Sequence, residues 1–391
     1  MKIKKYIIAL FLLFIVMLIP VNGSTLEDKD TIQKQKNFII ENKDLETALN
    51  NGCKISKNFK HIKVVQCNTD IASSLNLLED IEGGVMDIGA NSQVHADLVQ
   101  NNGFTGTGRK IVVLDSGYDY NHVELSSSYL GGYDFINDDS DPIDDHGHGS
   151  FVAGLITADG VDPYAKGIAP NAGIISGKIV NNLGRGYLST VIEGIYWAVN
   201  GNDGIYGTSD DFKADAISIS FGTDPPFVYN GYCDGVYPPL TEAIRYARSK
   251  GVPVVISSGN YGTQGVSIPG CISYSTTVGA VDSSNVISEI SSRGTSVDFV
   301  APGVDIYSTW KDNGYYTGTG TSASTPLVSG TIALIKSRHP GYSLSQVETS
   351  LTRTVKDLGV SGKDNNYGYG LIDAYKAVYY QFTSKKLPRR A

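Results

Sequence analysis

The sequence GTSASTPLVSGTIALIK, at residues 320–336, decides how the rest of the chain is interpreted. A turn at Gly320 leads into an apolar run, which predicts a helix with Ser322 at or just before its first turn. Free backbone N–H groups and the helix dipole favour negative charge there, and a serine at that position can attack a carbonyl. An ordinary helix N-cap explains the same residues. Ser322 is therefore a candidate nucleophile that still needs a base, an orienting carboxylate and an oxyanion donor.

From residue 91 onward, apolar strands alternate with helices. Four nearly continuous apolar runs, typical of strands buried in a parallel sheet, occupy residues 110–114, 174–180, 216–220 and 252–257. Helical spacing of apolar residues appears at 191–199 and 240–247, the second helix ends at Gly251, and Ser343 opens a late helix with capping-box spacing. The pattern predicts an α/β fold with a mostly parallel sheet, in which active groups gather beyond the carboxyl ends of the strands.

Two polar segments follow this rule. Asp115 comes directly after the first apolar strand, where a carboxylate can accept the Nδ1–H of a histidine and stabilise its imidazolium. The alternative is an Asp that caps a strand-to-turn junction. His148 lies between Gly147 and Gly149, which permit close approach of a neighbouring backbone and a bound substrate. His146 and His148, with nearby aspartates, could instead ligate a metal.

Three segments together resemble the active-site signatures of the subtilisin-like serine proteases. They are DSG at 115–117, GHGSFVAG at 147–154 and GTSASTP at 320–326, in that family's order of Asp, His and Ser. The resemblance covers residues 91–382 and implies a three-layer fold with Ser322 as nucleophile, His148 as general base and acid, and Asp115 as its orienting partner. His146, two residues earlier, has no catalytic role in this alignment of motifs.

The same resemblance assigns further site residues. Asn260, in VVISSGN at 254–260, corresponds to the side chain that completes the oxyanion hole, whereas a turn residue is the bland alternative. The segment Ser220, Phe221 and Gly222 resembles a strand edge that pairs with an extended peptide. Ser257, Ser258 and Gly259 would form the other wall of the main specificity pocket. Because no acidic residue obviously lines these walls, we expect a broad preference for apolar or aromatic residues.

Four residues depart from the family pattern without removing a catalytic atom. They are Phe151 in place of a second histidine, Ala323 in place of the usual Met, Ser324 in place of Ala, and Leu327 in place of a common His. These departures affect the expected shape of the pocket and the packing of the helix. They leave the expected chemistry intact.

The N-terminal 90 residues divide into two parts. Three lysines, an apolar core and small residues predict a secretory signal peptide at 1–23, with an uncleaved membrane anchor as the alternative. Residues 24–90 have the pattern of a small α+β domain, with strands at 36–41 and 61–66 and an extended stretch at 85–88. Between them, Thr69 and Asp70 could cap a helix whose apolar positions are Ile71, Ala72, Leu75 and Leu78. The resemblance implies that this domain is a propeptide that assists folding and inhibits the site until cleavage; a retained N-terminal domain is the alternative.

Four cysteines in an exported protein predict disulfides. The economical pairing joins Cys233 to Cys271 and Cys53 to Cys67, but sequence leaves the other two connectivities and four free thiols open. Calcium is common in the family. The loop at 200–211 combines Asp203, Asp210 and Asp211 with amides and glycines, which suits calcium as well as it suits a solvated polar loop. Glu124 stands where many relatives have an Asp ligand, which leaves the family's best-known calcium site uncertain.

Together these features predict a secreted serine endopeptidase that needs no cofactor for catalysis and acts as a monomer on proteins or peptides. The net charge of -8 argues against nucleic acid as a partner, and the basic tail at 383–391 is typical of a solvated segment. Beyond the signal peptide, no apolar run is long enough for stable membrane insertion. Two alternatives stay open: a catalytically silent binding protein with the same fold, and an esterase with the same triad.

Overall fold

The computed structural model describes residues 35–40, 43–58, 63–79 and 89–382. The predicted signal peptide at 1–23, the extended stretch at 85–88 and the basic tail at 383–391 lie outside these residues. Contacts divide the chain into two compact units, Met1–Met86 and Asp87–Ala391. No helix among the described residues is long and apolar enough to cross a membrane.

The N-terminal unit is an antiparallel sheet with two short helices. Its elements are β1 (Gln35–Ile40), α1 (Leu45–Asn50), β2 (Lys54–Asn58), β3 (Lys63–Asn68), α2 (Thr69–Ser74) and β4 (Leu78–Glu79). The strands lie in the order β2-β3-β1-β4, and every neighbouring pair is antiparallel. Alternate residues of β1 and β3, including Phe38 and Val65, form its small core with Ala48 and Ala72. This α+β composition agrees with the sequence-based expectation.

Two details of the helix α2 differ from the prediction. Its N-cap is Asn68, whose side-chain oxygen accepts a 2.9 Å hydrogen bond from the backbone N–H of Asp70, so that Thr69 is already helical. The helix ends at Ser74, and Leu78 lies in β4 instead of on the apolar face of a longer helix. Asn is as good an N-cap as the residues that follow it. The helical spacing of Leu78 is coincidental, because the helix has already ended at Ser74.

The C-terminal unit alternates strands and helices along the chain. Its strands are β5 (Lys110–Asp115), β6 (Tyr129–Asp134), β7 (Gly173–Lys178), β8 (Ala216–Ile219), β9 (Val228–Tyr229), β10 (Val254–Ser257), β11 (Val266–Ser267), β12 (Thr276–Val281), β13 (Phe299–Pro302), β14 (Ile306–Trp310) and β15 (Gly314–Gly318). Its helices are α3 (Ala90–Gln93), α4 (Ala96–Asn101), α5 (His148–Thr157), α6 (Leu188–Asn200), α7 (Pro238–Ser249), α8 (Thr321–Arg338), α9 (Leu344–Thr354) and α10 (Ala374–Val378).

Seven of these strands form one central sheet in the order β13-β12-β10-β8-β5-β7-β6. Every neighbouring pair is parallel. The central strands are buried on both faces, which explains why they appear in the sequence as continuous apolar runs without alternation. All four strands predicted from those runs are confirmed, each within two residues at either end.

Helices cover both faces of the sheet and make three layers. One core contains α5 and the long helix α8, and the other contains α6 and α7. Helix α8 is buried along most of its length, and a Cβ at Gly330 would lie 2.8 Å from the Cβ of Ile168. Small residues therefore let this helix approach its neighbours closely. The arrangement confirms the predicted three-layer α/β fold.

The predicted helix ends are also confirmed. Helix α7 ends at Ser249, and Gly251 follows with a φ of 83°, a left-handed conformation that favours glycine. Helix α9 carries the predicted capping box: the Ser343 N–H donates to the Gln346 side chain at 2.9 Å, and the Gln346 N–H donates to Ser343 Oγ at 3.4 Å.

Two disulfides join Cys53 to Cys67 and Cys233 to Cys271. The economical pairing is confirmed, and no cysteine of the described residues is free. The second bridge closes a sequence separation of 38 residues around helix α7. A loop of that length is entropically expensive to close, so the bridge limits the unfolded chain substantially.

We expect the double substitution Cys233→Ser and Cys271→Ser to lower the free energy of unfolding by roughly 2 to 4 kcal/mol. Urea unfolding followed by circular dichroism would measure the change. The matched control removes Cys53 and Cys67, which belong to the N-terminal unit, and should leave the transition of the C-terminal unit in place. Equal transitions for the wild type and the Cys233/Cys271 variant would contradict this contribution.

Candidate active site

Asp115, His148 and Ser322 are brought to one edge of the sheet by three different elements. Asp115 is the last residue of β5, His148 is the first residue of α5, and Ser322 is the second residue of α8. In a parallel sheet the carboxyl ends of the strands and the N-termini of the following helices meet at the same edge. Residues far apart in sequence are thus placed together, at helix ends with free N–H groups.

The Asp115 carboxylate and the His148 ring form a direct pair. Asp115 Oδ1 lies 2.7 Å from His148 Nδ1 and also accepts the Ser116 N–H at 2.7 Å. The Asp115 side chain is 2% exposed and the His148 side chain 29% exposed, so the ring reaches the solvent-facing side of the pair. With Nδ1 committed as a donor to the carboxylate, neutral His148 keeps Nε2 as a proton acceptor.

The electrostatic balance at His148 favours the protonated ring. Burial lowers the pKa of His148, but attraction to Asp115, the hydrogen bond that the ring donates to that carboxylate and the charge of Asp144 together outweigh burial. The net effect raises the pKa of His148 above its usual 6.5. A base with a raised pKa takes a proton more readily, which suits acid–base chemistry near neutral pH.

A second buried carboxylate, Asp144, shapes the loop that carries His148. Its oxygens accept five hydrogen bonds of 2.7 to 3.0 Å, from His146 N, Gly147 N, Ser150 N and the hydroxyls of Ser116 and Ser150. These donors lie on both sides of His148. The sequence showed an aspartate here but no signal of this role, since the loop's conformation decides which N–H groups point at it.

Glycines around His148 are required by close contacts. A Cβ at Gly149 would lie 2.1 Å from the carbonyl oxygen of Gly117, and a Cβ at Gly147 would lie 2.2 Å from the ring of Trp310. Gly147 also has a φ of 113°. The predicted close approach of a neighbouring backbone is therefore confirmed.

Ser322 is held mainly through its backbone. Pro326 has no N–H for the Ser322 carbonyl, and the Ser220 hydroxyl donates to that oxygen at 3.0 Å. Ser322 Oγ makes a long 3.5 Å contact with the Ser220 carbonyl. No hydrogen bond joins Ser322 to His148 in the described part of the chain. Both residues, together with Asn260, line a cavity of about 270 Å³, which we call the smaller cavity. Catalytic hydrogen bonds are often long without substrate.

Asn260 is oriented by Thr321, a residue that the sequence analysis did not single out. Asn260 Oδ1 accepts the Thr321 N–H at 3.0 Å and the Thr321 hydroxyl at 3.1 Å. Thr321 Oγ1 in turn accepts the Gly259 N–H at 3.1 Å. Because two donors face the amide oxygen, the side-chain NH₂ group of Asn260 stays available as a donor beside Ser322.

The predicted peptide-binding segments have different positions. Ser220, Phe221 and Gly222 line a cleft of about 720 Å³, the larger cleft, together with Asp115 and His148. Ser257 and Ser258 are buried, and Ser257 Oγ donates to the Phe221 carbonyl at 3.3 Å. The structure thus brings 220–222 to the cleft surface, whereas residues 257–259 are not among the described residues that line the larger cleft or the smaller cavity.

Comparison with known proteins decides the family. Residues 106–370 match the family described as the Subtilase family. This chain is a subtilase.

Individual relatives agree with this assignment. Subtilisin BL from Lederbergia lenta is 35% identical over 287 residues, which span 73% of this subtilase and 97% of the relative. An alkaline protease from Alkalihalobacillus alcalophilus is also 35% identical, over 73% of this chain and 68% of its own. The minor extracellular protease Epr from Bacillus subtilis (strain 168) is 30% identical over 91% of this chain and 56% of its own. The subtilase is accordingly a serine-type endopeptidase and needs no catalytic cofactor.

Asp203, Asp210 and Asp211, which were predicted for calcium in this subtilase, accept hydrogen bonds from their own loop. Among the described residues, no three His, Cys, Asp or Glu side chains are grouped to hold a metal. In the loop 200–211, Asp203 Oδ1 accepts the Ile205 N–H at 2.7 Å, Asp210 accepts from Asp203 N at 2.9 Å and from Thr208, and Asp211 accepts from Gly207 N at 2.8 Å. One buried oxygen of Asp211 has no hydrogen-bond partner among the described residues. The calcium assignment of this loop stays a prediction.

Glu124, which stands at the family's best-known calcium position, is occupied by hydrogen-bond donors. It is fully buried, and its carboxylate accepts the N–H groups of Gly160, Val161 and Asp162 at 2.7, 2.9 and 2.6 Å and the Tyr315 hydroxyl at 3.0 Å. Four donors fill the lone pairs that an ion would need. In this subtilase the carboxylate itself holds the loop after α5.

Proposed function

We propose that this subtilase is a secreted endopeptidase of broad, mainly apolar specificity that acts through Ser322, His148 and Asp115. The observation that carries the proposal is the 2.7 Å Asp115–His148 pair, whose ring shares one cavity with Ser322 and Asn260. Ser322 Oγ attacks the scissile carbonyl while His148 Nε2 takes its proton, and His148 then gives that proton to the leaving amine. Water hydrolyses the acyl-enzyme by the reverse sequence of proton transfers.

Charge that develops on the carbonyl oxygen is stabilised by two donors. The Ser322 N–H lies in the first turn of α8 and has no intrahelical acceptor. The Asn260 amide supplies the second donor, held in place by Thr321. Asp115 keeps the His148 ring in the productive tautomer and stabilises the imidazolium.

The proposal extends to maturation and location. The apolar N-terminus at 1–23 supports export, and the separate unit within residues 24–90 supports a role as a propeptide that inhibits the enzyme until it is removed. Buried disulfides fit an oxidising, extracellular compartment. The larger cleft next to the pairing segment 220–222 favours extended peptides over small esters.

A fluorophosphonate probe tests the reaction class directly. We expect covalent labelling of the secreted protein at Ser322, located by peptide mass mapping, together with cleavage of casein. A heat-denatured sample should stay unlabelled, because the probe requires an activated serine. A folded and fully processed sample that shows no labelling would favour the silent binding protein; labelling without casein cleavage would favour the esterase.

We expect the acid limb of kcat/KM against pH to have its midpoint above 6.5, the usual pKa of histidine. His148 must be neutral to accept the serine proton, and its pKa is raised, so activity falls as pH drops through that raised value. Initial rates on an apolar peptide ester between pH 5 and 9 would measure the midpoint. A midpoint below 6.5 would contradict the electrostatic balance described for His148.

We expect Asn260→Leu to lower kcat by about 10² to 10³ with little change in KM, as loss of the corresponding donor does in subtilisin. Thr321→Val should act in the same direction through Asn260 and cost about tenfold, because it removes one of the two donors that orient the amide. Steady-state kinetics on a peptide substrate would separate kcat from KM. If both variants instead raised KM and kept kcat, Asn260 would contact the bound substrate in the ground state and not only in the transition state.

A further inference from the structure

Two of the residues that depart from the family's sequence pattern lie together in the smaller cavity. Phe151 and Ala323 both line it, beside Trp310 and Tyr316 from the hairpin β14–β15. The ring centroids of Trp310 and Tyr316 are 4.7 Å apart. The ring centroid of Phe151 lies 6.3 Å from that of Trp310 and 6.1 Å from that of Tyr316. Three aromatic side chains and a methyl group thus form a compact apolar wall against the catalytic residues.

The smaller cavity and the larger cleft are lined by different residues, and His148 is the catalytic residue that they share. The larger cleft contains Ser220, Phe221 and Gly222, whereas none of these three residues lines the smaller cavity. His148 lines both spaces. If the acyl part of an extended substrate pairs with 220–222, the smaller cavity, which Ser322 and His148 both line, is the space open to the leaving part, next to the histidine that protonates the leaving amine.

We propose that the smaller cavity is a leaving-group pocket that selects an aromatic side chain directly after the scissile bond. The inference rests on the proposed function. The smaller cavity has a volume of about 270 Å³, just below the roughly 300 to 1,000 Å³ of sites that bind drug-sized ligands. This volume suits one large side chain. Aromatic rings at 4.5 to 7 Å gain attraction from edge-to-face or offset contacts in addition to burial.

The charge around the pocket favours a neutral ring over a cation. No Asp, Glu, Lys or Arg is among the described residues that line it. An aromatic wall can attract a lysine or arginine, but His148 becomes positively charged during proton transfer, and His146 lies 6.1 Å from Trp310 between ring centroids. A cationic side chain would meet that charge at the moment of reaction.

Acyl transfer to added amines measures the preference of this pocket alone, because every amine reacts with the same acyl-enzyme. An N-acyl phenylalanine methyl ester forms the acyl-enzyme, and an amino acid amide then competes with water. The amine nitrogen forms an amide bond to the acyl carbon as the bond from that carbon to Ser322 Oγ breaks. The proton lost by the amine passes through His148 to Ser322 Oγ, so this step is the reverse of leaving-group departure.

We expect phenylalaninamide to capture the acyl-enzyme about tenfold better than alaninamide, and lysinamide to be captured no better than alaninamide. Tyr316→Ser should bring the ratio for phenylalaninamide to alaninamide within about twofold, while Tyr316→Phe keeps it. The Tyr316 side chain is 50% exposed, so neither change should affect folding. Tyr164→Ser, at an exposed tyrosine that lines neither space, is the matched control and should keep the wild-type ratio.

Each outcome decides the inference. Equal capture of phenylalaninamide and alaninamide with normal ester hydrolysis would overturn the pocket and leave the protease intact. Preferred capture of lysinamide would replace the aromatic assignment by a cationic one. A ratio that Tyr316→Ser leaves unchanged would show that these rings do not form the pocket. Absence of any acyl-enzyme would overturn the proposed function as well.

Discussion

Ser322→Ala is expected to lower kcat by about 10⁶, which is the effect of removing the nucleophile in subtilisin. Without the hydroxyl no acyl-enzyme forms, and only stabilisation by the oxyanion donors and substrate binding remains. Folding should be unaffected, because Ser322 Oγ makes no hydrogen bond shorter than its 3.5 Å contact with the Ser220 carbonyl. Active-site titration and peptide hydrolysis would measure the loss.

The matched control is Ser324→Ala, two residues along the same helix. Ser324 is buried and its hydroxyl donates to the Ala301 carbonyl at 3.1 Å, so its removal should cost some stability and keep activity. If maturation is self-cleavage, the Ser322 variant should also accumulate as an unprocessed precursor. Normal processing of that variant would mean that another protease removes the propeptide.

Asp115→Asn is expected to lower kcat at neutral pH by about 10⁴. An asparagine amide can donate to His148 Nδ1, which stabilises the tautomer with its proton on Nε2, and that ring can no longer accept the serine proton. The substitution also removes the charge that raises the pKa of His148, so the acid limb of the pH profile should move to lower pH.

Asp134→Asn is the control for this substitution. Asp134 is a buried aspartate at the end of the edge strand β6, where its Oδ1 accepts the N–H groups of Ile136 and Asn137 at 2.7 and 3.0 Å. Its change should reduce stability and leave the pH profile unchanged. Retention of activity within tenfold by Asp115→Asn would argue against its role as the orienting group.

The sequence predicted the parts of the site that are contiguous. Continuous apolar runs identified the central strands, and short signatures located Asp115, His148 and Ser322. Strands β6 and β12 and the hairpin β14–β15 were not predicted, because glycines and polar residues interrupt their apolar pattern. The positions of β6 and β12 follow from pairing with other strands of the central sheet, which a local pattern does not record.

Contacts between distant residues account for the remaining differences. Thr321 orients Asn260 across 61 positions, and Ser116 reaches Asp144 across 28. The loop at 200–211 has the composition of a calcium site, yet its own N–H groups take up carboxylate oxygens. Composition gives the number of oxygens in a loop, whereas the backbone conformation decides which donors those oxygens meet.

The hydrogen bond from the Ser220 hydroxyl to the Ser322 carbonyl has a consequence for redesign of the specificity of this enzyme. Ser220 begins the segment 220–222 that we propose to pair with the peptide, and its hydroxyl also holds the backbone of Ser322, the proposed nucleophile, so one residue would position both. Grafting a new specificity segment over residues 220–222 would disturb both at once. An exchange that begins at Phe221 and preserves Ser220 would change what the enzyme selects without releasing the serine that cuts.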